Sequence, residues 1–494
     1  VLRGFVPRAC GLVTPACLGA PGLGVALRPS TVPSWAATVP LATDILPSGV
    51  PLPVPAPSFV RPPEDSSTEL LGHAGGARDW LARQGVSLTI QDVEEIWGLP
   101  AGGTQRGATY DGMTAAALML DTQPLLGLKN GLFNISALQI RGRSFTAERL
   151  GALNTVSGYD AGRSTRLFEL WYEQGFLNNH LNVRVGSLDL DTEFLVSQNA
   201  SFFLNSSFGW PLSTSSNLYS GGPSWPFSAL GGRIKWTPAQ PLVLMGAITD
   251  DNPTQGPFYS TISPTERDPS GTTFSTHGGV LFMGEAQLWL DMARQLAGPD
   301  APALPGTWKL GGLYDTGRFP DQRYDANGTL LASPDSSGAP YYHHGNWILY
   351  AVIDQMIWRK AKNSGKTINF FARAIAANQT RNQFAFEIQS GFTFDELLPD
   401  RPDDTIGIAW GTSLYSAQAR HYAQDSVRLG TSQPYSLTPE HHFELTYQAA
   451  VTPYLIVQPD FQYFMHVGGT TQDPTTGKRI HNGVVAGLNI TTTF

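Results

Sequence analysis

Five carboxylates crowd two short stretches of this chain, "RLFELWYEQ" (166–174) and "RVGSLDLDTEF" (184–194). They are Glu169, Glu173, Asp189, Asp191 and Glu193, and Arg166, Trp171 and Arg184 stand among them. Three chemistries fit such a set. Two of the acids held roughly 5–10 Å apart across a cleft would suit glycoside hydrolysis. The same acids and guanidinium groups around a narrow passage would hydrogen-bond sugar hydroxyls, with an indole against the apolar face of a pyranose. A hydrated surface with no further role would use the same residues.

Other catalytic signatures are missing from the sequence. It holds no G-x-S-x-G elbow, P-loop, H-E-x-x-H pair or glycine-rich dinucleotide turn. His343–His344 and His441–His442 are adjacent pairs. Neighbours on a strand point to opposite faces, so neither pair makes a chelate. No catalytic residue, metal ligand or cofactor is therefore assigned.

The elements that position the charged set are strands. Sixteen alternating segments are predicted: 86–95, 108–121, 131–141, 165–175, 181–188, 229–237, 242–249, 278–290, 307–315, 346–358, 366–377, 384–394, 404–416, 441–451, 454–465 and 482–494. Gly, Pro, Asn and Asp clusters separate them. Some connectors are short, as at 237–241 and 451–454. Others are long, as at 189–228, 250–277, 316–345 and 417–440. Within the strands apolar and polar residues take opposite parities. Ile234 and Trp236 oppose Arg233 and Lys235; Leu445, Tyr447 and Ala449 oppose Glu444, Thr446 and Gln448. Leu455, Val457, Phe461 and Tyr463 oppose Gln458, Asp460 and Gln462, and Phe168, Leu170 and Tyr172 oppose Glu169, Trp171 and Glu173. Sixteen half-polar strands need a very large apolar surface to cover them, and lipid supplies one. The last segment, "HNGVVAGLNITTTF", carries Val484, Ala486, Leu488, Ile490 and Phe494 on one parity.

Composition agrees. Charged residues are 15% of the 494, below the roughly 25% of soluble domains. Aromatic residues are 11%, there are 52 glycines, and mean hydropathy is −0.13. No apolar run approaches the roughly 20 residues of a membrane-spanning helix, whereas alternating barrel strands keep mean hydropathy near neutral. A net charge of −8 with no basic stripe argues against a nucleic-acid partner. The same composition also fits a large soluble β-protein. The sixteen half-polar strands decide between the two, and the expected fold class is all-β: a transmembrane antiparallel up-and-down barrel of about 16 strands, with a short helix at 75–86 and long extracellular or lumen loops.

Upstream, residues 1–37 read as a signal peptide, with Arg3 and Arg8 before an apolar stretch and "SWAA" (34–37) at its end. Residues 38–70 form a proline-rich linker and 71–494 the barrel. Both cysteines, Cys10 and Cys17, fall in the leader.

Six stretches carry a family resemblance: "YDGMTAAALMLD", "SALQIRGRS", "RVGSLDLDTEFLVSQNASFFLNSSFGWP", "GGRIKWTP", "LPDRPDDTIGIAW" and "VQPDFQYF". With Gly76, Arg78, Leu81 and Gly85 of the opening helix, they make residues 70–494 resemble the carbohydrate-selective (OprB-like) porins. The resemblance implies a 16-stranded barrel of the bacterial outer membrane through which monosaccharides diffuse, narrowed by charged and aromatic side chains. It also implies a C-terminal aromatic, here Phe494, that the barrel assembly machinery recognises. Partners would be monosaccharides, outer-membrane lipids and lipopolysaccharide, and the porin would work as a monomer or homotrimer. Arg184, Asp189, Glu169, Trp171, Glu173, Arg166, Arg141, Arg233 and Lys235 are the expected lumen groups, and the polar segment 201–228 is expected to fold into the lumen. The alternatives are a general or export channel, a hydrolase borne on the same barrel, and a soluble carbohydrate-binding β-protein.

Overall fold

The computed structural model describes residues 69–494, apart from 299, 300, 302, 362, 363, 433, 434, 471 and 473–477. The signal peptide, both cysteines and the proline-rich stretch up to residue 68 lie outside the described residues.

Sixteen strands form one closed ring: β1 (Val86–Gly103), β2 (Gly107–Asp121), β3 (Gly131–Gly142), β4 (Ser164–Phe176), β5 (Leu181–Leu188), β6 (Ala229–Ala239), β7 (Leu242–Asp250), β8 (Val280–Asp291), β9 (Pro305–Asp325), β10 (Pro340–Arg359), β11 (Thr367–Ala377), β12 (Phe384–Asp395), β13 (Thr405–Tyr415), β14 (Glu440–Thr452), β15 (Leu455–Met465) and β16 (His481–Thr493). Every strand is antiparallel to its sequence neighbours, and β16 returns to β1, with Gln91 opposite Thr493 and Ala101 opposite Val484. The Phe494 amide donates to the Ile90 carbonyl at 2.8 Å. The closure leaves no strand edge for lipid to meet, which a membrane-spanning sheet requires.

The strands match the alternating segments closely, with two exceptions. The β9–β10 hairpin continues upward to Asp325 and Pro340, where a loop from 316 to 345 is predicted. Those extra residues, "TGRFPDQRYD" and "PYYHHG", mix charges, Gly, Pro and aromatics without a clean apolar parity, so lipid patterning gives no sign of them. Strand β1 likewise runs past 95 to Gly103. The predicted helix is Ala77–Arg83, ending at Gly85. Gly85 sits at φ +79, where an added Cβ would lie 2.8 Å from the Asp121 carbonyl. No helix among the described residues is long and apolar enough to cross a membrane, so the crossing is made by strands.

Side-chain facing follows the alternation. Ile234, Trp236, Leu445 and Phe461 are exposed on the outside, while Arg233, Glu444 and Gln462 are buried inside. Phe168 departs from the expectation. Ala137 pairs with Leu167 and Ile135 with Leu170, so Phe168 and Glu169 share the place opposite Ser136. This bulge turns Phe168 inward, where it packs with Val93, Leu138, Ile140 and Trp225.

The core of the molecule lies inside the ring. Residues 189–228 enter the lumen and are buried over most of their length. Leu190, Phe194, Leu195, Trp210 and Leu218 pack on Met283, Leu313, Ile348, Val352 and Ile375 of the inner wall. Each such side chain removed from water contributes roughly 1.5–3 kcal/mol. Residues 143–163 also enter, bringing Phe145, Leu150 and Val156 against Trp97, Phe464 and Val485.

Candidate functional site

The wall holds the inserted segment by its polar backbone. A strand that alternates carries one charged or polar residue inward every few positions, and several of these on β8 to β15 reach the segment. Glu285 accepts from the Leu195 amide (2.7 Å), and Lys309 Nζ donates to the Val196 carbonyl (2.7 Å). Asp354 accepts from the Ser197 hydroxyl (2.6 Å) and from the amides of Gln198 and Asn199 (3.1 and 3.2 Å). Arg373 donates to the Gly209 carbonyl (2.7 Å), and Glu387 accepts from the Ser213 amide (2.8 Å). Glu444 and Gln462 accept from the Asn205 amide and side chain, each at 3.0 Å. Irregular backbone inside a barrel needs such partners, because unpaired polar groups away from water are costly. Gly407 makes room for the same segment: an added Cβ would stand 2.5 and 2.7 Å from the rings of Phe202 and Phe203. The expectation that 201–228 folds into the lumen holds.

At the root of this segment lies a square of four charges. Arg184 on β5 reaches Glu173 on β4 at 3.0 Å and Glu193 at 2.7 Å. Arg233 on β6 reaches the same two carboxylates at 2.6 and 2.7 Å. Glu173 is 0% exposed and Arg233 2%, so both depend on the square for compensation. Burial would raise the Glu193 carboxyl, but Arg184 and Arg233 outweigh it and hold it at about 2. Lys235 faces inward two residues below Arg233 and, like Glu193, keeps partial exposure.

A second group of acids anchors the turn of the segment. Glu169 accepts from the Asp189 amide (3.3 Å), Asp189 from the Asp191 amide (3.1 Å), and Asp191 from the Trp225 amide (3.1 Å). Burial raises the Asp191 carboxyl to about 7. Arg166 binds the carbonyl of Asp268 at 2.9 Å and its carboxylate at 3.4 Å.

The structure thus brings eight of the nine expected groups onto the lumen side. Two expectations change. Arg141 is outside: on β3 the inward residues are Asn134, Ser136, Leu138 and Ile140, and Arg141 has the opposite parity. Apolar Leu138 and Ile140 face inward because the inserted segments give them something to pack on, so hydrophobicity on β3 does not report lipid contact. Trp171 does face inward, but it is 4% exposed and the Arg184 guanidinium lies 3.8 Å from its ring centroid. The cation occupies the face that a sugar would need. Of the wall residues, Glu444 was placed on the polar face of its strand from the sequence, whereas Glu285, Lys309, Asp354, Arg373 and Glu387 were not singled out. Arg373 in "FFARAIAA" and Glu387 in "FAFEIQS" appear there as single charges among apolar and aromatic neighbours.

Residues 105–494 match the OprB family of carbohydrate-selective porins. The chain belongs to that family. Porin B of Pseudomonas aeruginosa is 24% identical over 461 residues, which cover 87% of this chain and 92% of its own. A putative porin of Acinetobacter baylyi, QuiX, is 23% identical over 448 residues, with 86% and 93% covered. The solved high-pH structure of Pseudomonas putida OprB shares the fold, with a TM-score of 0.75 at 22% identity over 87% of this chain and 99% of that one. This protein is therefore a carbohydrate-selective porin of the bacterial outer membrane, and its relatives are channels rather than enzymes.

Proposed function

We propose that this porin passes single sugar rings by passive diffusion and rejects larger saccharides. The observation that carries the reading is the inserted segment 189–228, fastened to the inner faces of β8 to β15 so that it narrows the lumen for good rather than swinging within it. The passing sugar meets Glu193 and Lys235, the partly open members of the charged group, while Glu173, Arg184, Arg233 and Trp171 form the framework behind them. Hydroxyls exchange water for these fixed polar groups one at a time, and each contact stays weak, so that the solute leaves as readily as it enters. The porin performs no chemistry on its cargo. Among the described residues, the serine–histidine contact of Ser207 with His442 at 2.7 Å is 0% exposed at both residues and lies out of reach of any solute.

Liposome swelling tests this reading. Fast entry of glucose, slow entry of a disaccharide and slow entry of an amino acid of similar size are expected. Lys235→Ala should change glucose entry several-fold while leaving the heat-modifiable gel mobility of the folded barrel intact. Equal entry of all three solutes would make the pore a general one, and no swelling would overturn the channel.

A further inference from the structure

Two groups of charges on the outside of the barrel differ in how far they are answered. On the outer wall, Arg141 of β3 binds Asp92 at 2.7 Å and Glu94, both from β1. It also donates to the Thr114 hydroxyl at 2.7 Å and the Tyr110 hydroxyl at 3.0 Å, both from β2. The side chains of Arg141, Asp92 and Glu94 remain 25%, 26% and 38% exposed. Cation and acids answer one another within one chain, so this network calls for no ligand.

The rim above the β1–β16 seam is different. It frames a cavity of about 820 Å³ at the end that carries the long connections, the extracellular end of such a barrel. Thr104 and Arg106 line it from the β1–β2 connection, and His466, Arg479, His481 and Asn482 from the β15–β16 connection and the start of β16. No carboxylate lines it among the described residues, in a chain whose net charge is −8. Arg106 and Arg479 are both exposed. A third guanidinium backs the same connection. Arg149 donates to the Arg106 carbonyl at 3.4 Å, its own carbonyl accepts from the Thr104 and Gln105 amides at 2.9 Å, and its Nε is buried without a partner. Glu148 beside it is held by Arg143 at 2.8 Å. The cavity also opens beside outward aromatic residues. The Tyr463 hydroxyl accepts from Asn482 at 2.9 Å, and the His466 ring lies 6.0 Å from His441, which stacks on Trp410 at 6.2 Å. Trp410, His441 and Tyr463 share the outward parity of exposed Ile408, Phe443 and Phe461. Outward rings of this kind mark the level of the lipid headgroups.

We propose that this cavity binds a phosphate monoester carried by a lipid headgroup of the outer leaflet. The planar fork of arginine matches phosphate oxygens two at a time, and no carboxylate competes for it. Basic pockets at headgroup level suit anionic lipids, and the volume is that of a site for a molecule of a few rings. A phosphate neutralises the unanswered guanidinium groups, which a neutral sugar does not, so the cavity is separate from the path of the cargo. Free sugar phosphates carry the same group; the place of the cavity beside the aromatic rim selects the lipid.

Binding of lipid A to the whole porin in mild detergent, followed by native mass spectrometry, tests this. Lipid A should bind, and lipid A stripped of its phosphates should bind at least tenfold more weakly. Millimolar inorganic phosphate or glucose 6-phosphate should displace little of it. Arg106→Gln with Arg479→Gln should weaken lipid A binding at least tenfold, in a barrel that keeps its heat-modifiable mobility and its glucose entry into liposomes. Arg428→Gln, on the helix Ala417–Arg428 at the same end, should leave lipid A binding unaltered. Equal binding of the stripped lipid, unchanged binding by the double variant, an equal loss in Arg428→Gln, or full displacement by glucose 6-phosphate would overturn the proposal.

Discussion

Two charge networks of similar chemistry stand on opposite sides of one sheet. Inside, two arginines and two glutamates compensate one another, and Glu173, Arg184 and Arg233 are closed off while Glu193 stays partly open. Outside, one arginine serves two carboxylates, and all three stay partly open. Both draw mainly on charged residues alternating along β1 to β6, with Glu193 added from the inserted segment, so composition does not tell them apart. The difference lies in parity, and in what each network has to cover it: the inner square has its own chain, the outer one lacks any cover from it.

The comparison breaks most visibly at Arg233. Arg233→Ala leaves the buried Glu173 and its partner Glu193 to share Arg184 alone, and roughly 3 kcal/mol of stability should be lost, read as a lower unfolding temperature on heat-modifiable gels. Removing a staple of the inserted segment comes next. Asp354→Ala leaves the Ser197 hydroxyl and two amides without their acceptor, at roughly 1–3 kcal/mol. Disaccharide entry into liposomes should then rise several-fold while glucose entry changes little. Arg141→Ala should cost less, about 1–2 kcal/mol at its partly exposed position, and should leave sugar flux unaltered. A change in sugar selectivity from Arg141→Ala would erase the distinction between the two networks. The smallest effect concerns pH. Glu193, held at about 2 by two arginines, stays ionised as pH falls from 8 to 4, so ion selectivity measured in planar bilayers should not titrate with an ordinary carboxylate midpoint near 4.5. Such a midpoint, abolished by Glu193→Gln, would mean that the square is hydrated and loose.

Much of the ring was legible because lipid imposes a period of two on every strand, and sixteen strands repeat that signal. The clean alternation of Arg233 and Lys235 against Ile234 and Trp236 placed both cations correctly. Legibility failed where the lumen is filled. Leu138 and Ile140 look lipid-facing yet pack against Phe168 and Trp225, which inverts the apparent facing of Arg141. Phe168 was misplaced by a bulge, whose single extra residue leaves no trace in hydropathy. Trp171 illustrates a different limit: its direction could be read from parity, but not that Arg184 would cover its ring. The wall staples were invisible for a related reason, because a lone acid in a strand becomes meaningful only when the backbone amide it meets is known.

The reach of the inserted segments bears on how the barrel is made. Residues 189–228 are fastened to β8 through β15, and the amide of Leu153 is held by Glu440 at 2.9 Å across 287 residues. Every one of these partners follows the segment in the chain. The lumen filling can therefore be fastened only once these later strands are in place. Contacts so distant in sequence close slowly, which makes this a barrel whose assembly is timed by its contents as well as by its wall.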